Sequence, residues 1–258
     1  MKFGVCTKLE RIDIVKNGGF EYIELKLSDV ASMSEEELSN TCKILDKNEM
    51  WSKTYNVFCT KDLNLSYAAD EYEISAYAKR AFANAQRLGG EIAVVGSGKA
   101  RNIPEEYSFA DGREKFKRVL SLIADIAADH NIKIALEPLN TNETNLINTL
   151  SDASKLCEEI DKPNLGFLAD LFHMYRSEED VSEILKYKDQ IIHAHIAKRD
   201  ETRGAPGITD RPEDLIEMHD ALTKIGYNGI LSLEASSKND FETSVKSFAE
   251  LADHLKLR

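Results

Sequence analysis

The sequence predicts an α/β protein, a single-domain (β/α)8 TIM barrel spanning residues 1–258. Three observations carry that prediction. Short apolar runs alternate with longer amphipathic segments from end to end, and there are eight of them. Strict alternation of strand and helix gives a parallel sheet covered by helices. A chain of 258 residues matches the roughly 250 residues of a closed eight-unit barrel and favours it over an open sheet. No linker rich in Pro, Gly or Ser divides the chain, so one domain is the simpler reading.

The strand-like runs fall near 3–6, 22–27, 54–58, 92–95, 132–137, 165–170, 191–197 and 230–234. Helical periodicity and start signals fill the stretches between them. Ser34 precedes three glutamates, an N-cap followed by acids that suit the helix dipole. Ser151 before DASKLCEEI and Ser177 before EEDVSEIL are expected to act in the same way. Asp161-Lys162-Pro163 and Gly226-Tyr227-Asn228-Gly229 read as stops ahead of the sixth and eighth strands.

Composition narrows the partners. Hydrophobic residues make up 42%, enough for a sizeable core. The net charge of −12, from 45 acidic and 33 basic residues, opposes binding to nucleic acid. No run approaches the roughly 18 apolar residues of a membrane span, and no apolar targeting segment follows Met1. Cys6, Cys42, Cys59 and Cys157 are scattered without a CxxC pair. Reduced thiols in a cytoplasmic protein are therefore expected.

Strand parity selects the residues that meet inside the barrel. In the fifth strand Ile132, Ile134 and Leu136 share the outer face, and Ala135 and Glu137 the inner one. In the eighth, Leu231 and Leu233 point out while Ser232 and Glu234 point in. In the seventh, Ile192, Ala194 and Ile196 oppose His193 and His195. Glu137, Asp170, His195 and Glu234 thus end four successive strands, each about one strand-plus-helix unit from the next. Active sites of such barrels gather at that end. Three crowded carboxylates repel one another unless a cation holds them. Hard oxygen donors with one imidazole read as one divalent metal site, favouring Mn²⁺, Mg²⁺ or Co²⁺ and leaving Zn²⁺ open.

Weaker signals receive plainer readings. His193 is expected deeper in the barrel, behind His195. Gly96-Ser97-Gly98-Lys99 reads as a βα turn before it reads as a phosphate loop. Glu24 and Lys26 are expected to pair with each other, and Trp51 and Tyr55 to pack in the core. His130, His219 and His254 carry no chemical signal, and no cysteine has a paired base.

The motifs LEPLN, DLFH, HAHIAK and the glutamate of the eighth strand, in that order, resemble the xylose isomerase-like barrel superfamily. The resemblance is strongest to its sugar isomerases and epimerases, including the ketose 3-epimerase and hydroxypyruvate isomerase groups. It implies that Glu137, Asp170, His195 and Glu234 bind one divalent ion, commonly manganese. It also implies that Glu137 and Glu234 exchange protons with substrate. His173 and Arg203 match substrate-binding positions; Glu143 matches an acid that contacts substrate or orients His173. The implied activity is isomerisation or epimerisation of a ketose or related small keto-sugar, by proton transfer alpha to a carbonyl through a metal-stabilised enediolate. A dehydratase using the same enediolate and a non-catalytic sugar-binding barrel are the alternatives. An apurinic endonuclease is disfavoured, because no histidine precedes His130 and the strand-seven loop reads Asp200-Glu201-Thr202. The resemblance also implies a homodimer or homotetramer. Thr141-Asn142 stand where relatives often carry an arginine and an aromatic, which leaves the sugar open.

Overall fold

In a computed structural model describing residues 1–236 and 238–257, the eight strands close into a barrel in sequence order. They are β1 (Lys2–Cys6), β2 (Tyr22–Lys26), β3 (Thr54–Asn56), β4 (Ile92–Val95), β5 (Lys133–Leu136), β6 (Leu165–Asp170), β7 (Ile191–Ile196) and β8 (Ile230–Leu233). Every neighbouring pair is parallel, and β8 returns to β1 through Lys2↔Ile230 to Val5↔Leu233. The helices are α1 (Ile12–Asn17), α2 (Leu27–Val30), α3 (Glu35–Asn48), α4 (Glu71–Arg87), α5 (Gly98–Arg101), α6 (Phe109–Ala128), α7 (Leu150–Ile160), α8 (Leu171–Arg176), α9 (Pro212–Lys224) and α10 (Phe241–His254). The crossover from β6 to β7 is built from α8 and a 3₁₀ helix, Val181–Lys186. Among the described residues no helix is long and apolar enough to cross a membrane. All four cysteines are free thiols.

Helix starts follow local hydrogen bonding, which corrects two expected caps. Ser34 caps α3 in a capping box: Glu37 N–H donates to Ser34 Oγ, and Ser34 N–H to Glu37 Oε2. For α7 the cap is Thr149 rather than Ser151. Asp152 N–H donates to Thr149 Oγ1 at 3.1 Å, and Thr149 N–H to Asp152 Oδ2 at 3.2 Å. Starting there places Leu150 inside the helix, where it is fully buried with Ala153 and Leu156. Ser177 ends α8 instead of starting a helix, and Asp180 caps Val181–Lys186.

Two apolar layers hold the barrel. The outer layer, between strands and helices, contains Ile134, Leu136, Leu231 and Leu233, as parity predicts, and the fully buried Phe82, Phe116, Phe167 and Phe248. Each of those rings contributes roughly 2–3 kcal/mol by leaving water. The inner layer is small: Val94, Ala135 and Leu168, with Ile92 and Ile192 against them. Ile192 corrects the parity prediction for β7. Phe167 pairs with Ile191 but Leu168 pairs with His193, so β7 carries one extra residue there. The bulge turns Ile192 inward while Ile191, Ala194 and Ile196 remain outside. Gly166 makes room for it, since a Cβ there would meet Ile192 Cγ2 at 2.9 Å.

Tyr55 is fully buried, and its hydroxyl donates to Ser52 O. Trp51 is half exposed and bridges to Tyr22 at the start of β2, the end of the barrel away from the carboxyl-terminal rim. Neither lies at the mouth where the acids gather.

Candidate functional site

Three local features deliver the four strand-end residues to one point. Asp170 ends β6 and also caps α8, accepting His173 N–H on Oδ1 at 3.0 Å and leaving Oδ2 for the site. Glu137 directly follows β5; its N–H donates to Val95 O, and its carbonyl accepts from Arg101 Nη2 at 2.7 Å. Glu234 directly follows β8, and its N–H donates to Ile196 O. One donor atom from each of Glu137, Asp170, His195 and Glu234 lies within 4.8 Å of every other. His195 Nδ1 is 3.6 Å from Glu137 Oε1, 3.9 Å from Asp170 Oδ2 and 3.5 Å from Glu234 Oε2.

The unsatisfied atoms in this ring have a common explanation. His195 Nδ1 and Glu137 Oε1 are buried and without a hydrogen-bond partner. Each such atom costs about 1–3 kcal/mol if it stays unpaired. A divalent ion at the centre of the ring would use both lone pairs, so the residues present fit a metal.

Behind His195 stands Glu24, fully buried. It accepts from His195 Nε2 at 3.0 Å, His193 Nε2 at 2.9 Å and Thr54 Oγ1 at 2.9 Å. Burial opposes its charge, but the two imidazoles override that and hold the carboxyl well below the usual range. In the neutral ring that a metal ion would require, Nε2–H donates to Glu24 and Nδ1 offers its lone pair to the centre of the three acids. The expected Glu24–Lys26 pair does not form: Lys26 is exposed at the rim. Glu24 instead serves His195 and, as its own deeper partner, His193.

Arg203, at the tip of the strand-seven loop with φ of 47°, lies across the acids. Its Nη2 donates to Glu234 Oε2 at 2.5 Å and sits 3.4 Å from both Asp170 Oδ2 and His173 Nε2. Its guanidinium also lies 4.8 Å from the centre of the Phe172 ring. Asn56, from the end of β3, donates to the other oxygen of Glu234 at 2.9 Å. Burial opposes the charge on Glu234, yet Arg203 and His195 hold its carboxyl well below the usual range. Against the same desolvation, Glu24 and then Cys6 and Glu234 push His195 well up.

His173 is oriented by Asn140. The Asn140 N–H donates to His173 Nδ1 at 3.2 Å, so the ring proton is on Nε2, toward Arg203 and the site. The Asn140 amide also donates to Glu143 Oε1 at 3.2 Å and lies 2.8 Å from His173 Nδ1. Glu143 therefore reaches His173 through Asn140. It also lies 3.9 Å from Arg203 Nη1.

The strand-end pattern singles out Glu137, Asp170, His195 and Glu234, the family resemblance adds His173, Arg203 and Glu143, and all seven lie in this one constellation. Four contributors escape that reading: Glu24 in this role, Asn56, Asn140 and Arg101. Asn140 sits inside the LEPLN motif, and Asn56 ends a strand on the inward side; these were the available signals. Arg101 left none. It is a fully buried cation that grips the carbonyls of Val95, Glu137 and Ile147.

The Gly96 turn takes its plain reading in part. Ser97 Oγ bonds both backbone groups of Cys59, and a Cβ on Gly96 would sit 2.2 Å from Glu137 Oε2. The glycine clears space for the acid. Beside the Glu234 and Arg203 edge of the site opens a cavity of about 580 Å³, walled also by Cys6, Lys26, Asn56 and Phe241. Ligand pockets run from about 300 to 1,000 Å³. His130 lies apart, beside Gln86, and His219 beside Asp220.

The chain is similar in sequence and fold to known proteins. A ketose 3-epimerase of Arthrobacter globiformis is 34% identical over 135 residues, covering 52% of this chain and 45% of that protein. This match therefore spans under half the relative's length. A D-psicose 3-epimerase of Agrobacterium fabrum is 25% identical over 232 residues, covering 86% of this chain and 77% of that one. Among solved structures, a D-psicose 3-epimerase in the presence of D-fructose superposes with a TM-score of 0.84 at 22% identity, over 100% of this chain and 99% of the other. A 3-keto-D-glucoside 4-epimerase from E. coli gives 0.83 at 20% identity, over 100% of both chains. At these identities the structures speak to the fold. The model of the xylose isomerase-like TIM barrel matches residues 12–257. With nearly the whole chain matched and eight parallel strands closed in order, this protein belongs to the xylose isomerase-like TIM-barrel family.

Proposed function

We propose that the protein is a divalent-metal-dependent isomerase or epimerase acting on a ketose or related small keto-sugar. The observation that carries the reading is the ring of three carboxylates around an imidazole nitrogen, with His195 Nδ1 and Glu137 Oε1 left unpartnered. Glu137, Asp170, His195 and Glu234 would hold the ion. Once bound, Mn²⁺, the first choice for this donor set, or Mg²⁺, Co²⁺ or Zn²⁺ would act as a Lewis acid on the substrate carbonyl and the hydroxyl beside it.

The protein's own groups handle the protons. Glu137 after β5 and Glu234 after β8 extend from well-separated strands, so one can remove a proton from the carbon next to the carbonyl and the other return one from the opposite face. That arrangement favours epimerisation; isomerisation needs only one base. Arg203 and His195 keep Glu234 ionised, the form that can accept a proton, and the Asn56 amide helps aim it. His173, with its proton fixed on Nε2 by Asn140, is placed to donate to a substrate oxygen. Arg203 shares the cavity wall with Glu234 and offers a cationic donor. The ketose 3-epimerase and D-psicose 3-epimerase relatives support a sugar of that class.

The test is deuterium incorporation from heavy water at the carbon alpha to the carbonyl, across a ketose panel including D-fructose and D-psicose, with Mn²⁺ present. Wash-in is expected with at least one sugar. Glu137→Gln and Glu234→Gln should each slow it by at least about 100-fold. No wash-in with any ketose, in protein shown to carry metal, would overturn the reading. An enone absorbing in the ultraviolet would mark a dehydratase instead.

A further inference from the structure

His195 has two nitrogens, and the second also looks at potential ligands. Its Nε2 lies 3.0 Å from Glu24 Oε1 and 3.8 Å from Cys6 Sγ. We propose that Cys6, Glu24 and His195 form a separate site for a thiophilic divalent ion, Zn²⁺ or Cd²⁺, whose occupation excludes metal from the four-residue centre.

The geometry fits. The three donor atoms lie within 4.8 Å of one another. Zinc bonds of about 2.3 Å to sulfur and about 2.0–2.1 Å to nitrogen or oxygen, at tetrahedral angles, space sulfur from nitrogen by about 3.5 Å and nitrogen from oxygen by about 3.3 Å. The observed 3.8 and 3.0 Å straddle those values, so shifts of a few tenths of an ångström suffice. Glu24 is held from behind by His193 and Thr54, which fixes the oxygen it presents. Cys6 is half-buried and forms part of the cavity wall, which supplies a route in and a fourth, solvent ligand.

Donor chemistry separates the two sites. Three carboxylates and an imidazole suit a hard ion, whereas a thiolate selects zinc or cadmium. Burial and the neighbouring Glu24 charge keep the Cys6 thiol protonated in the free protein. On binding, that proton leaves to solvent and a sulfur–metal bond replaces the sulfur–hydrogen bond. With Nε2 on the metal, the ring keeps one proton, on Nδ1, where Glu137, Asp170 and Glu234 are ready acceptors, and the Nε2 proton leaves to solvent. A neutral imidazole has one free lone pair, so His195 can serve one centre at a time. The exclusion rests on the four-residue reading above; the thiophilic site rests on its own three ligands.

The experiment titrates the whole protein with Cd²⁺ while following thiolate-to-cadmium charge-transfer absorption. Mn²⁺ binding is measured in parallel by the electron paramagnetic resonance of the free ion. Expected is a band saturating at one equivalent in the wild type and missing in both Cys6→Ser and Cys6→Ala. Saturating Cd²⁺ should weaken Mn²⁺ binding by at least about tenfold more in the wild type than in either variant. No band, or a band that persists without Cys6, overturns the thiophilic site. Independent binding of both ions overturns the exclusion. A Cys6-dependent band in protein that never binds Mn²⁺ supports the thiophilic site and overturns the four-residue reading. Glu24→Gln should weaken the cadmium band, which gives a second check if the Cys6 variants fold poorly.

Discussion

Glu24 decides which nitrogen His195 offers to the ring of acids. Its carboxylate accepts the hydrogen bond from Nε2–H and carries a buried negative charge that strengthens the imidazole as a ligand on the other side. Glu24→Gln keeps the shape and an acceptor but removes the charge. Mn²⁺ affinity should fall by about 10–100-fold, measured by calorimetry. Unchanged affinity with a lower melting temperature would make Glu24 a core anchor only. Gly96 acts on the other side of the ring. In Gly96→Ala the new methyl would need the space of Glu137 Oε2, 2.2 Å away, so the acid must swing aside. A displacement of about 1 Å at a reacting group can cost about 100-fold, and kcat on whichever ketose shows exchange should fall by that order while the fold persists. Neither role was legible in the sequence. Glu24 reads naturally as the partner of Lys26 two residues on, whereas its real partners are 169 and 171 residues away on β7.

Secondary-structure elements set where these side chains stand. The β7 bulge sends Ile192 inward and yet leaves His193 and His195 facing the interior, so the strand fills the barrel floor and supplies a ligand. The junction of β6 and α8 uses one carboxylate twice, as helix cap and as site acid. Between α8 and α7 lies a titrating contact. Glu179 accepts the Leu150 N–H at the start of α7, and burial pushes its carboxyl up to about 7, helped by Glu183 and Asp152. An acid whose pKa is raised by folding is stabilising while protonated. That advantage is whole below its ordinary value near 4.5 and disappears as pH rises to about 7. Glu179→Gln stays neutral and still accepts from Leu150. The melting temperature of the variant minus that of the wild type should therefore grow between about pH 4.5 and 7 and level off above. Solvent reaches part of this side chain, so the plateau should be about 1 kcal/mol, or roughly 2–4 °C. A flat difference across that range would show that Glu179 does not titrate there.

At the scale of the whole molecule, the barrel brings acids from β5, β6 and β8 against one another, and their mutual repulsion is a cost borne by the fold. Metal binding should therefore stabilise the protein as well as activate it. At free Mn²⁺ about 100 times its dissociation constant, binding adds about 2.7 kcal/mol. For a chain of this size that raises the melting temperature by about 5–10 °C. A chelator should remove the rise, and Asp170→Asn should shrink it. Scanning calorimetry with and without chelator checks this; identical curves would leave the acid ring without its ion.

The eight-unit barrel and the acids and imidazole at its rim are legible in the amino-acid order. Both follow from local rules: a strand repeats every two residues, and a parallel barrel puts the end of every strand at one rim. Glu137, Asp170, His195 and Glu234 obey those rules, so their meeting could be read without coordinates. That Glu24 serves His195, that Asn56 and Arg203 hold Glu234, that Arg101 braces the carbonyl of Glu137, and that Ile192 turns inward emerge only once the chain is folded. Those are choices among partners far apart along the chain, or a one-residue slip in pairing, and neighbouring sequence carries no record of which distant atom will stand within hydrogen-bonding distance.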